Sequence, residues 1–202
     1  MRPSTDDFQF IAGSLALDFV NTIGERLGEG REYLTSSAEL TRWARLARVL
    51  PAHGRMSVTQ RQLADVRTAR EELYRLFRPI ALGSRPTARS LAALNARLHG
   101  AAGARQLTLR SDVVRWEWAH SPRDAHVLLA QVFASAAELL VSGRLHSVRQ
   151  CEGEGCGWLF VDRSRAGHRR WCSMGDCGNR AKARRHLAAM RRVPRRSKRR
   201  RY

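Results

Sequence analysis

Cys151-Glu152-Gly153-Glu154-Gly155-Cys156 and, after fifteen intervening residues, Cys172-Ser173-Met174-Gly175-Asp176-Cys177-Gly178-Asn179-Arg180 hold every cysteine of the 202-residue chain. The spacing is Cys-x4-Cys, x15, Cys-x4-Cys. Two close pairs joined by a short insert suit one tetrahedral metal site, each pair supplying two thiolates from a tight turn. Zn²⁺ favours thiolates and needs no redox partner, so it is the first choice of ion. A four-thiolate shell leaves no open position for water or substrate, which makes the expected zinc structural. Disulfides, an iron–sulfur cluster and unligated thiols are the competing readings, with His168 as a substitute ligand. Gly153 and Gly155 supply the positive backbone angles that such knuckles use. Asn179 is placed to cap a helix over 180–192. A site this small depends on its metal to fold, so a strong chelator is expected to unfold residues about 150–190 and leave the rest intact.

Outward from the cysteines, the charge is uneven. The chain carries a net +19, and residues 144–202 hold 18 Arg and Lys against 4 Asp and Glu, or +14. That asymmetry points to a polyanion partner for the last third of the chain. A solvated Arg-rich tail is the bland alternative. On the expected helix, Arg180, Lys182, Arg184, Arg185, Arg191 and Arg192 are candidate nucleic-acid contacts, joined by Arg169 and Arg170 in the insert. Trp158, Phe160 and Trp171 read either as base-stacking platforms or as a small core beside the metal. The tail over 194–202 is expected to be disordered alone.

Residues 1–143 read as mainly α. Ser36 to Glu39 fits a capping box before a helix that Pro51 stops. Ser57 to Gln60 fits a second box before a long amphipathic helix with Pro79 near its end. Residues 88–99 make a third helix. Leu107, Leu109, Val114, Trp116 and Trp118 alternate around Ser111-Asp112, which predicts a β-hairpin. Ser121-Pro122 opens a fourth helix that ends at Gly143. Before these, Asp18, Asn21 and Thr22 sit among apolar neighbours. With Trp43 they form a candidate ligand pocket, although capping and core packing explain the same residues. A small-molecule effector and a homodimer are the partners considered for this part. The expected division is 1–143, a zinc-binding α+β module of knuckles, short strands and one helix over 144–193, and the basic tail.

Apolar residues make up 43% of the chain, enough for a core, with no run long enough to span a membrane. The first residues lack a signal peptide's pattern, so a cytoplasmic protein is expected. Nucleophile elbow, phosphate loop and HExxH patterns are all missing, and an enzyme is disfavoured.

Cys172-Ser173-Met174 through Cys177-Gly178-Asn179-Arg180, with Trp171 and the earlier cysteine pair, resembles the CGNR-type zinc finger. Leu17-Asp18-Phe19-Val20-Asn21-Thr22 is similar to the start of the ABATE domain that precedes that finger. The resemblance implies a bacterial, cytosolic, stress-induced transcription regulator with Cys151, Cys156, Cys172 and Cys177 as zinc ligands and DNA as partner. Nonspecific nucleic-acid or RNA binding, and protein docking through the finger, are the alternatives.

Overall fold

The computed structural model describes residues 8–101, 105–118 and 125–192; for Ala101, Arg105, Arg110, Trp116, Glu117, Trp118, Arg191 and Arg192 only the backbone is described. The fold is mainly α, with three two-stranded antiparallel sheets among the described residues. Its centre is the short helix α1 (Leu15–Val20), whose Ala16, Leu17, Phe19 and Val20 are buried. A helix apolar on nearly every side belongs inside a core. α1 packs on α3 (Gln60–Ala81), α5 (Ala125–Val141) and the zinc-module strand β6 (Leu159–Val161). Between α1 and α3 lie the miniature hairpin β1 (Ile23–Gly24) and β2 (Arg31–Glu32), and α2 (Ser37–Leu46). Helix α4 (Ala88–Ala101) covers α3 and α5.

The helix boundaries show which local signals prevail. Ser36 caps α2 by accepting the Glu39 N–H at 3.2 Å, while the Glu39 carboxylate turns to Arg42 instead of closing the box. α2 ends at Leu46, ahead of Pro51, where Arg48 takes φ +59°. The box that opens α3 is Thr59 with Gln62, two residues beyond the Ser57 reading. The reason is tertiary: Ser37 Oγ accepts the Val58 N–H at 3.2 Å and fixes residues 57–58 outside the helix. Pro79 lies within α3 and does not stop it at once; the chain turns at Gly83, φ +92°. Gly143, φ +70°, follows α5 as expected.

The hairpin of β3 (Arg105–Arg110) and β4 (Val113–Trp118) pairs Leu107 with Trp116 and Leu109 with Val114. Ser111 and Asp112 both have positive φ, the signature of a two-residue type I′ turn. Trp43 is a core residue, 5.3 Å from Phe19 between ring centroids. The side chains of Trp116 and Trp118 lie outside the described residues.

The boundary expected at 143–144 is bridged by continuous packing. β5 (Val148–Gln150) pairs with β6, and both touch α3. The Val161 N–H donates to Ala12 O at 2.8 Å, and Trp158 Nε1 donates to Ile23 O at 2.7 Å. One apolar cluster runs from Ala12, Leu17 and Phe19 through Val148, Leu159 and Phe160 to all four cysteines.

Candidate metal centre

Each pair of cysteines comes from a different kind of turn. Cys151 directly follows β5, and its N–H donates to Trp158 O at 2.8 Å, extending the β5–β6 ladder by one rung. The connection then doubles back, with the Cys156 N–H on Gly153 O at 3.0 Å. Gly153 has no room for a side chain: a Cβ there would lie 2.8 Å from Cys177 Sγ. Gly155, φ +73°, completes the knuckle. Cys172 follows an extended segment. Ser173 Oγ accepts the Asp176 N–H at 3.3 Å and starts a wide helical turn, Met174–Gly178, which carries Cys177 and runs directly into α6 (Asn179–Arg192). The helical path therefore begins before Cys177. Asn179 lies inside it with helical φ and ψ and does not cap it; Nδ2 donates to Gly175 O at 3.0 Å. Ser173 is the cap.

The four Sγ atoms lie within 4.8 Å of one another, and all four residues are buried. Cys156 and Cys172 Sγ are 3.7 Å apart, as are Cys172 and Cys177. Thiolates bound tetrahedrally at about 2.3 Å from zinc are themselves about 3.8 Å apart, so the donors fit that ion. Cys151, Cys156 and Cys177, together with burial, push the Cys172 thiol far above its ordinary range. A cluster this tight needs a cation before its members can all ionise. Backbone amides help: the N–H groups of Gly153 and Cys172 both donate to Cys151 Sγ at 3.3 Å.

The basic residues divide by role. Arg180 Nη2 donates to Cys177 Sγ at 3.1 Å and its Nε lies 3.4 Å from Asp176, so this guanidinium faces the metal centre. Arg169 is a strut: it stacks over Phe160 and donates to the carbonyls of Trp171 and Cys172. Arg170 pairs with Glu152 at 2.6 Å and covers Trp171. Lys182, Arg184 and Arg185 are exposed, with Arg184 3.1 Å from Glu154. Arg191 and Arg192 lie on the far turn of α6, their side chains outside the described residues. Every residue over 182–190 is exposed, including Leu187 and Met190, so α6 leaves the body of the protein at its first turn. Trp158 and Phe160 are core residues and Trp171 is half-buried.

The residues of the candidate ligand pocket have structural partners. Asn21, Thr22 and Trp43 are buried, and the polar side-chain atoms of Asn21 and Thr22 are engaged. Asn21 Nδ2 donates to Leu159 O at 2.8 Å and its Oδ1 accepts the Leu159 N–H at 2.9 Å. Thr22 Oγ1 donates to Phe19 O at 2.8 Å and accepts from Arg70. Asp18 accepts the Ala12 N–H at 2.9 Å. These contacts hold α1 to its neighbours. A cavity of about 150 Å³ lies elsewhere, lined by Gln9, Glu25, Tyr33, Trp158 and Arg180 and reached by Cys156 and Cys172. No local pattern announces it, because its walls come from four separated segments.

Burial raises the Asp18 carboxyl from 3.8 to about 6, against the opposing pull of the Ala12 amide and Arg163. The folded state thus favours the protonated acid. Its contribution to stability is full below pH 3.8 and is lost as pH rises through 6. Asp18→Asn keeps the acceptor for Ala12 and removes the charge. The variant is expected to gain about 1–3 kcal/mol over the parent at pH 8 and about a third of that near pH 4.5. Urea unfolding of both proteins at each pH checks this, since zinc's own pH dependence cancels in the difference. A gain equal at the two pH values would refute it.

No helix among the described residues is long and apolar enough to cross a membrane. No curated protein gives a significant match to the chain. The CGNR zinc finger family model matches residues 147–189, which include all four cysteines and Arg180. The four cysteines are accordingly the zinc site of a CGNR zinc finger, consistent with one structural Zn²⁺. The ABATE family model, described as "Putative stress-induced transcription regulator", matches residues 13–143. With α1 and its partners under one match and the zinc site under the other, the chain belongs to the ABATE family and carries a CGNR zinc finger at its C-terminal end.

Proposed function

We propose that the protein is a DNA-binding transcription regulator in which the zinc site fixes the direction of α6 and α6 meets the DNA. The observation that supports this most is the exposure of α6 along residues 182–190, with Lys182, Arg184 and Arg185 presented to solvent. A free-standing basic helix rooted in a metal site has the shape and charge to enter a major groove. Arg191, Arg192 and the basic residues over 195–201 extend the positive charge in sequence. Burial of Trp158 and Phe160 removes two of the three aromatic stacking candidates, which favours duplex over single-stranded partners. A role in stress belongs to the same reading and rests on the family description.

Binding of duplex DNA should fall about 10²–10³-fold between 50 and 200 mM salt, as expected for four to six phosphate contacts. Fluorescence anisotropy of a labelled duplex measures it. A flat salt dependence would exclude phosphate contacts as the driving force and with them this use of α6.

A further inference from the structure

The four sulfurs of the zinc site are not equally protected. Cys151 Sγ accepts two backbone N–H groups and Cys177 Sγ accepts Arg180. Among the described residues no N–H donates to Cys156 or Cys172 Sγ. These are also the two cysteines that reach the 150 Å³ cavity. Donated hydrogen bonds withdraw electron density from a thiolate and lower its nucleophilicity, and access decides which thiolates oxidants meet. Both factors select the same pair. The cavity is small, with Gln9, Tyr33 and Arg180 among its walls, which admits a small oxidant and excludes a bulky disulfide.

We propose that Cys156 and Cys172 are the oxidisable edge of the zinc site and that a small peroxide converts them to a disulfide with release of the metal. The inference rests on the zinc site and not on the nucleic-acid reading. Cys156, 5% exposed against 2% for Cys172, meets the peroxide first. Its thiolate attacks one peroxide oxygen; an S–O bond forms, the O–O bond breaks, and the leaving hydroxide takes a proton to become water. Cys172 thiolate then attacks the sulfenic sulfur; an S–S bond forms, the S–O bond breaks, and a second hydroxide leaves as water. Two thiolates lose two electrons, and the peroxide is reduced to two waters. The sulfurs close from 3.7 Å to a bond of about 2.05 Å, and zinc keeps only two of its four ligands.

The experiment treats the zinc-loaded full chain with hydrogen peroxide. It follows zinc with a chromogenic chelator, then alkylates the remaining thiols and maps the peptides. The expected result is stoichiometric zinc release with a Cys156–Cys172 peptide as the first disulfide, while Cys151 and Cys177 are alkylated as thiols. Retention of zinc in excess peroxide, or a first disulfide that includes Cys151 or Cys177, overturns the proposal. Arg180→Ala gives a second readout in chains that still bind zinc. Loss of the donor to Cys177 should let a Cys172–Cys177 disulfide compete, since those sulfurs are also 3.7 Å apart. An unchanged disulfide pattern in that variant would overturn the shielding argument.

Discussion

Removal of zinc by a strong chelator should lower the thermal midpoint of the whole chain by at least ~10 °C and strip amide protection from α1 and β1–β2 as well as from the cysteine loops. Structural zinc sites bind with apparent free energies of about 10–16 kcal/mol, and whole domains are stable by about 5–15 kcal/mol. The metal's contribution is therefore of the order of the entire stability. It does not stay local, because the cysteines belong to the same apolar cluster as Leu17 and Phe19. The Arg26 and Leu27 N–H groups donate to the carbonyls of Cys156 and Gly155. Trp158 is tied to Ile23 in the same way. The local unfolding expected from the cysteine spacing alone is replaced by a wider one. Hydrogen exchange with and without chelator decides between them. Loss confined to residues 148–192 would show an autonomous module after all.

The second large effect is expected at Asn21, where one side chain satisfies both backbone groups of buried Leu159. Asn21→Ala leaves a donor and an acceptor without partners inside the core. Each orphaned group costs about 1–3 kcal/mol, so a loss of about 2–4 kcal/mol follows. Asn21→Asp should be worse still, because the carboxylate cannot donate to Leu159 O and would be a buried charge. That order separates lost hydrogen bonds from lost packing, since Asp and Asn are nearly the same size. Urea denaturation of the zinc-loaded proteins gives the values. A loss below about 0.5 kcal/mol in Asn21→Ala would show that the pairing is dispensable.

Asn21 also marks what the sequence could not convey. Its neighbours suggested capping or a pocket, both local roles, and its partner lies 138 residues away. Arg180 was legible in principle. Cys177 and Arg180 are three apart, and on one helix they must lie side by side. A helix that begins only at Arg180, with Asn179 as its cap, leaves Cys177 off the helix and this neighbour relation unseen. The zinc ligands needed no tertiary information, because paired cysteines at turn spacing specify their own chemistry. The β3–β4 hairpin was equally local, set by alternation around Ser111-Asp112. The opening of α3 was not, because Ser57 and Thr59 both fit the capping pattern and only Ser37 chooses between them.

Helix α6 extends about 20 Å from the Cys177 turn, at 1.5 Å per residue, with residues 182–190 all exposed. It therefore works as a lever whose fulcrum is the Cys177 turn. A tilt of about 10° there moves the tip by roughly 3–4 Å, twice the axial spacing of duplex charge. Whatever the helix grips, the accuracy of the grip is set at the sulfur atoms and not at the basic side chains.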